Sequence, residues 1–169
     1  MKGFKLKKAL LYGLFLVVLF ILGLAAYVYQ SASNPLRAEE ESALERALAE
    51  TPLVKAEKVD WFHYLDQYVV IKGKNRDGEN IIVWVPKAKD KAITVKKESE
   101  GLTEREALAM VREGLALKDD QRPKEIVRVK LGMIENTPVY EISYIDQKGR
   151  YSFLYIDFYE GNWYRVYNL

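Results

Sequence analysis

The stretch Tyr68–Val85, YVVIKGKNRDGENIIVWV, decides the fold. Two β-branched runs, Tyr68–Lys74 and Asn80–Val85, flank Arg76-Asp77-Gly78-Glu79. A β-branched run, an Asp-Gly turn and a second such run predict a β-hairpin, which Pro86 closes. The same text returns later. Val139–Asp146 and Tyr151–Phe158 flank Gln147-Lys148-Gly149-Arg150. Aligning Gly78 with Gly149 gives an offset of 71. Ile71 then meets Ile142, Ile82 meets Phe153, Val83 meets Leu154, Trp84 meets Tyr155 and Val85 meets Ile156; Ile81 meets Ser152 and is the exception. The repetition reads as an internal duplication.

The flanking text repeats in the same order. Asn34-Pro35 is a helix start, with Asn at the N-cap and Pro at the first helical position. Leu36, Ala43, Leu44, Ala47 and Leu48 share one face, Glu39, Glu40, Glu41, Glu45 and Glu50 cover the rest, and Pro52 is the stop. Because the residue before a proline avoids the α region, a break is expected near Ser33-Asn34. Val54–Phe62 and Ala92–Lys97 read as strands beside the first hairpin. Thr103-Glu104-Arg105-Glu106 is then a capping box, with Leu108, Val111 and Leu115 as the apolar stripe and Gly114 near the helix end. Val127, Val129 and Leu131 alternate with Arg128 and Lys130, and Glu160-Gly161-Asn162 turns into a last strand, Trp163–Tyr167. The predicted class is α+β: two tandem units, 31–98 and 99–169, each one helix on an antiparallel sheet.

Ahead of these units lies Ala9–Tyr29, ALLYGLFLVVLFILGLAAYVY, 21 residues without a charge. As a helix it spans roughly 30 Å, the hydrocarbon thickness of a bilayer. Lys2, Lys5, Lys7 and Lys8 precede it, and the next charge is Arg37. The positive-inside bias predicts a cytoplasmic basic tail at 1–8, a single-pass transmembrane anchor at 9–30 in the cell membrane, and an extracellular C-terminal domain. Tyr27 and Tyr29 suit the outer interface. A cleaved signal peptide ending at Ser31-Ala32-Ser33 is the competing reading, although its apolar run exceeds the ordinary signal length.

Of the 26 basic residues four Lys lie in the first 30, leaving 22 against 24 acids in the rest, a net of −2. That balance gives no electrostatic reason to bind nucleic acid. The chain has no cysteine, which excludes disulfides, thiolate chemistry and Cys-type zinc sites. The one histidine, His63, stands without the partners a triad or a zinc site needs. There is no Gly-x-Ser-x-Gly and no phosphate-binding glycine loop. Nothing in Asp119-Asp120 or the Glu39–Glu41 run points to a catalytic pair; both read as solvated. Asp157 reads as the organiser of its turn. No catalytic residue, cofactor or metal site is therefore predicted. What remains is aromatic. Tyr159, Trp163, Tyr164 and Tyr167 cluster around the terminal hairpin, and Trp61 sits in a second cluster with Phe62 and Tyr64. Strand alternation sends Trp163 and Tyr164 to opposite faces. Exposed Tyr and Trp anchor protein interfaces, so these five are the candidate partner-binding residues; burial of all four C-terminal aromatics in a core is the other reading.

The helix Thr103–Gly114, the segment Pro138-Val139-Tyr140-Glu141-Ile142, and Tyr155-Ile156-Asp157 followed by Gly161 resemble a PepSY-type domain. The whole chain resembles the TseB/YpmB family of Gram-positive bacteria. The resemblance rests on the basic N-terminus, the single anchor, the acidic helix after it, Tyr68-Val69-Val70 with Gly73, Val83-Trp84-Val85-Pro86, and the PepSY-like second half. It implies two cystatin-like units and a non-enzymatic role in lateral cell-wall elongation, acting on a penicillin-binding transpeptidase. In the first unit Pro86-Lys87-Ala88 replaces the Asp-to-Gly turn of the PepSY pattern. A protease-inhibitor or ligand-sensing module is the alternative function, and a wall-modifying enzyme a further one.

Overall fold

The computed structural model describes the backbone of residues 2–113, 115 and 117–168, and the side chains of that range other than 2–11, 31–34, 163, 164 and 168. The elements are α1 (Lys2–Glu50), β1 (Leu53–His63), β2 (Gln67–Asn75), β3 (Asn80–Pro86), β4 (Thr94–Lys97), α2 (Glu104–Glu113), β5 (Pro123–Ile134), β6 (Thr137–Asp146), β7 (Tyr151–Asp157) and β8 (Trp163–Asn168). Residues 1–41 and 42–169 are two compact units.

The smaller unit is helical, and every side chain from Tyr12 to Gln30 is exposed. It belongs to a helix long and apolar enough to cross a membrane, a test that a signal sequence also passes. The expected break near Ser33-Asn34 is not found, because α1 continues through Pro35. A proline removes one intrahelical donor and strains one turn. The Ala-, Leu- and Glu-rich text after it favours helix strongly enough to carry on.

The larger unit holds two four-stranded antiparallel sheets, ordered β1-β2-β3-β4 and β5-β6-β7-β8. The second repeats the register of the first. Moving β1 by 70 positions and β2, β3 and β4 by 71 lays each pair of the first sheet on a pair of the second. Val59 with Ile71 becomes Val129 with Ile142, Ile71 with Val83 becomes Ile142 with Leu154, and Trp84 with Thr94 becomes Tyr155 with Arg165. Even the irregularities recur: register shifts fall between Leu53/Lys55 and Ala56/Lys58 in β1, and between Pro123/Glu125 and Ile126/Arg128 in β5. The change from 70 to 71 has a local cause. Three residues, Tyr64-Leu65-Asp66, separate the pair His63 and Gln67, whereas four, 134–137 with the left-handed pair Glu135-Asn136 at their centre, separate the equivalent pair Met133 and Pro138.

Both hairpins turn at the predicted glycines. Gly78 and Gly149 have φ of 80° and 79°, where a side chain would be strained. The predicted capping box is present: the Thr103 hydroxyl accepts from Glu106 N–H, and the Glu106 carboxylate accepts from Thr103 N–H at 2.8 Å. Gly114, expected at the helix end, lies outside the described residues.

Ala43 and Ala47, near the end of α1, are buried against Val69, Ile71, Ile81, Val83 and Val85 on one face of the first sheet. The predicted stripe was wider: Leu36 and Leu48 are exposed, since two small residues one turn apart suffice for close approach to the sheet. Ala107 and Val111 of α2 belong to the core that contains Tyr140, Ile142, Leu154 and Ile156 of the second sheet. Val127, expected inward, is exposed because the register shift between Ile126 and Arg128 makes it the extra residue. The sheets also meet each other. Phe62 of β1 lies over Gly132 of β5, where any Cβ would collide with its ring. Trp84 meets Phe158 edge-on at 5.9 Å, and Lys130 Nζ donates to the Trp61 carbonyl at 2.9 Å.

Candidate functional site

Where β1 ends, the chain turns at Tyr64-Leu65-Asp66, and Tyr64 is carried across to the second sheet. Its ring packs 5.2 Å from Tyr155 and 6.3 Å from Tyr167. Its hydroxyl lies 2.6 Å from the Tyr167 hydroxyl, and Arg165 Nη1 donates to both, at 2.9 and 3.1 Å. Tyr155 and Arg165 are register partners, so β7 and β8 place these groups side by side on one face. The Tyr155 hydroxyl donates to Glu141 Oε2 at 2.8 Å. Tyr155 is buried, Tyr64 half-buried, Tyr167 and Arg165 exposed.

These contacts shift the phenols from their ordinary pKa values. Sharing a hydrogen with Tyr64, and then the Arg165 charge, lowers the Tyr167 phenol below its ordinary value. The bond to Tyr167, and then burial, raises Tyr64. The two phenols therefore lose their protons in two linked steps that belong to the pair. Burial, reinforced by the bond to Glu141, raises Tyr155. Arg165 forms no ion pair with a carboxylate among the described residues; its partners are the two hydroxyls. The arrangement is a preorganised cation in an aromatic surface. It suits recognition of an anionic group, and it contains neither a nucleophile–base pair nor a metal cage. Among the described residues no three His, Asp or Glu side chains gather in a metal-binding group.

The three predicted aromatics whose side chains are described, Tyr167, Tyr159 and Trp61, do not form one patch. Tyr167 lies in the cluster. Tyr159, also exposed, packs edge-on to Phe158 at 5.4 Å, with Lys96 Nζ 5.8 Å from its ring centre. Trp61 is half-buried, packs on the core beneath Ala43 and Ala47, and stacks on His63 at 5.4 Å. The side chains of Trp163 and Tyr164 lie outside the described residues. The backbone there has a register shift, since Tyr155 pairs with Arg165 but Ile156 with Trp163, so strict alternation does not run through the pair. Tyr64, Arg165 and Glu141 were not singled out as site residues. A short loop brings Tyr64 to residues about 100 positions away, and no local pattern encodes that. Asp157 plays the turn role expected of it, its Oδ1 accepting from the N–H groups of Tyr159 and Glu160 at 2.9 and 2.8 Å.

A family model described as the cell wall elongation regulator TseB-like domain matches residues 42–86. A protein of Bacillus subtilis (strain 168) named "Probable cell wall elongation regulator TseB" is 33% identical over 158 residues, 92% of this chain and 94% of the relative. This chain belongs to the TseB family. A solved structure of the YpmB protein from Bacillus subtilis superposes with a TM-score of 0.69 at 31% identity, covering 76% of this chain and 96% of that one. The TseB-like segment ends at Pro86, so of the cluster it includes Tyr64 alone. Likeness to the TseB relative reaches nearly the whole chain, second sheet included.

Proposed function

We propose that this TseB-family protein is a non-catalytic, membrane-anchored regulator of cell-wall elongation that acts by contact with a penicillin-binding transpeptidase. The observation that carries the reading is the 33% identity, along 92% of the chain, to a protein named as a probable regulator of that process. Residues 1–8 form the cytoplasmic tail, 9–30 the anchor, and 31–98 and 99–169 two tandem cystatin-like units outside the cell. The shared register and repeated bulges of the two sheets support the tandem reading. The four N-terminal lysines support the orientation. A tether confines the protein and its partner to one thin layer, so weak contacts suffice. The test is crosslinked co-purification of the full chain from its own membranes. The elongation transpeptidase should be recovered with it, and protease added to protoplasts should remove the C-terminal domain. Recovery of a protease instead favours the inhibitor reading, and cleavage of peptidoglycan by the purified protein overturns the regulator reading.

A further inference from the structure

The two sheets, alike in register, differ in what covers one face. In the first sheet that face carries Tyr68, Val70, Ile82 and Trp84, and all four are buried. In the second sheet the equivalent positions are Val139, Glu141, Phe153 and Tyr155. Phe62 and Tyr64 cover the end at Gly132 and Tyr155. Beyond them the face is open. Tyr151 is 37% exposed and Tyr167 40%, and Phe153 lies half-buried between them, its ring 5.2 Å from that of Tyr151 and its backbone paired with Tyr167.

Two exposed cations belong to this open area. Register places Arg165 beside Tyr155 and Arg128 beside Ser143. Both are exposed, and neither forms an ion pair among the described residues. Arg165 is already held by two hydroxyls, which fix the guanidinium without neutralising it. A guanidinium held in this way, with further N–H groups to spare, is ready for a carboxylate. The chain beyond its first 30 residues has more acids than bases, yet none of those described neutralises either arginine.

We propose that the open half of this face docks a protein partner, taking one carboxylate on Arg165 and a second on Arg128, at the opposite edge of the sheet, and an apolar side chain on Tyr151 and Phe153 between them. The inference deepens the regulator reading and rests on it. An anionic lipid surface fits less well, because Glu125 and Glu141 share the face with Arg128, Lys130 and Arg165 and leave it a net of only about +1. A face-to-face second copy would bring arginine towards arginine, with the Glu141 carboxylate already taken by Tyr155.

The test places a photo-crosslinking phenylalanine analogue at Tyr151 in the full chain, in its native membrane. A discrete protein adduct is expected, mapping within a few residues of an Asp or Glu of the partner. Its yield should fall about tenfold in the Arg128→Glu, Arg165→Glu pair and stay unchanged in Lys89→Glu. Arg165→Gln, which removes the charge and keeps a polar side chain at an exposed position, should also lower the yield with the melting temperature kept, which separates lost recognition from lost fold. No adduct at position 151, while the same probe at Val54 gives one, overturns the surface. So does an adduct to lipid or to a second copy, or one indifferent to the arginines. An arginine-dependent adduct to a protein other than the transpeptidase keeps the surface and removes that partner from the proposed function.

Discussion

Asn75 and Asp146, 71 positions apart, perform the same task with different charge. Asn75 Oδ1 accepts from the N–H groups of Asp77 and Glu79 at 3.0 and 2.9 Å. Asp146 Oδ1 accepts from those of Lys148 and Arg150, both at 2.9 Å. Each side chain closes a hairpin turn by satisfying backbone donors that the ladder leaves over. The charge then decides what else the turn binds. Asn75 Nδ2 donates to Glu79, which also takes Lys97 Nζ at 2.7 Å. Asp146 instead pairs with the Arg150 guanidinium, and Asp120 bridges Lys148 and Arg150.

Asp146→Asn should therefore preserve the turn, as Asn75 does, while Asp146→Ala should lower the melting temperature by roughly 4–8 °C. Burial works to raise the Asp146 carboxyl, but the bonds from Arg150 and Lys148 more than offset it and hold the carboxyl below its ordinary range. A depressed carboxyl stabilises the fold fully above its unfolded pKa, about 3.9, and that contribution fades as pH falls towards the folded value. The gap in melting temperature between wild type and Asp146→Asn should shrink below about pH 4. A constant gap down to pH 2 would show that the ion pair is not linked to folding.

Gly132 and Phe62 form one contact between the sheets. Phe62→Ala should destabilise by about 3–5 kcal/mol in urea titration, the usual cost of deleting a buried phenylalanine. Gly132→Ala should destabilise as well, because the ring must move, but it should cost much less when Phe62 is already Ala. Additive costs would mean that the two residues act separately.

The capping box gives a smaller, cleaner effect. Thr103→Ala should cost about 1 kcal/mol, and Thr103→Ser almost nothing, since the serine hydroxyl also serves the Glu106 N–H. Equal losses in the two variants would count against the cap.

Titrating tyrosinate absorbance should reveal the Tyr64–Tyr167 pair. One phenol should ionise below the ordinary value near 10 and another above it. In Arg165→Gln the early step should move up, because the cation that favours the Tyr167 phenolate is gone. Absence of any early step in the wild-type protein would mean that the two hydroxyls do not share a hydrogen.

Much of the fold was legible in the chain because it is written locally. Period-two runs, Asp77-Gly78, Lys148-Gly149 and Thr103–Glu106 each determine a few residues, and each lies where expected. The hairpin offset of 71 emerged from turn positions alone, and the register bears it out pair by pair. Pro35 misled because a local rule met a helix-favouring neighbourhood on its C-terminal side. Val127 misled because a bulge adds a residue without changing the alternating text. The Tyr64–Tyr167–Arg165 cluster was illegible for another reason: it depends on which loop of one sheet reaches which face of the other, a property of packing rather than of period.

The matched registers expose the newly made chain to a hazard. A β2 strand that mispaired with β7 would keep every ladder hydrogen bond, since the spacing is identical. Backbone geometry offers no proofreading against such a strand-exchanged form, and side chains must supply it. Glu141 and Val70 occupy the same position in their sheets, opposite Tyr155 and Trp84. Exchanging partners would set the Glu141 carboxylate against Trp84, at a site closed to water, and strand the Tyr155 hydroxyl without its acceptor. The divergence of these two pairs thus acts as a lock and key for assembly, through which one half of the chain tells its own strands from those of its twin.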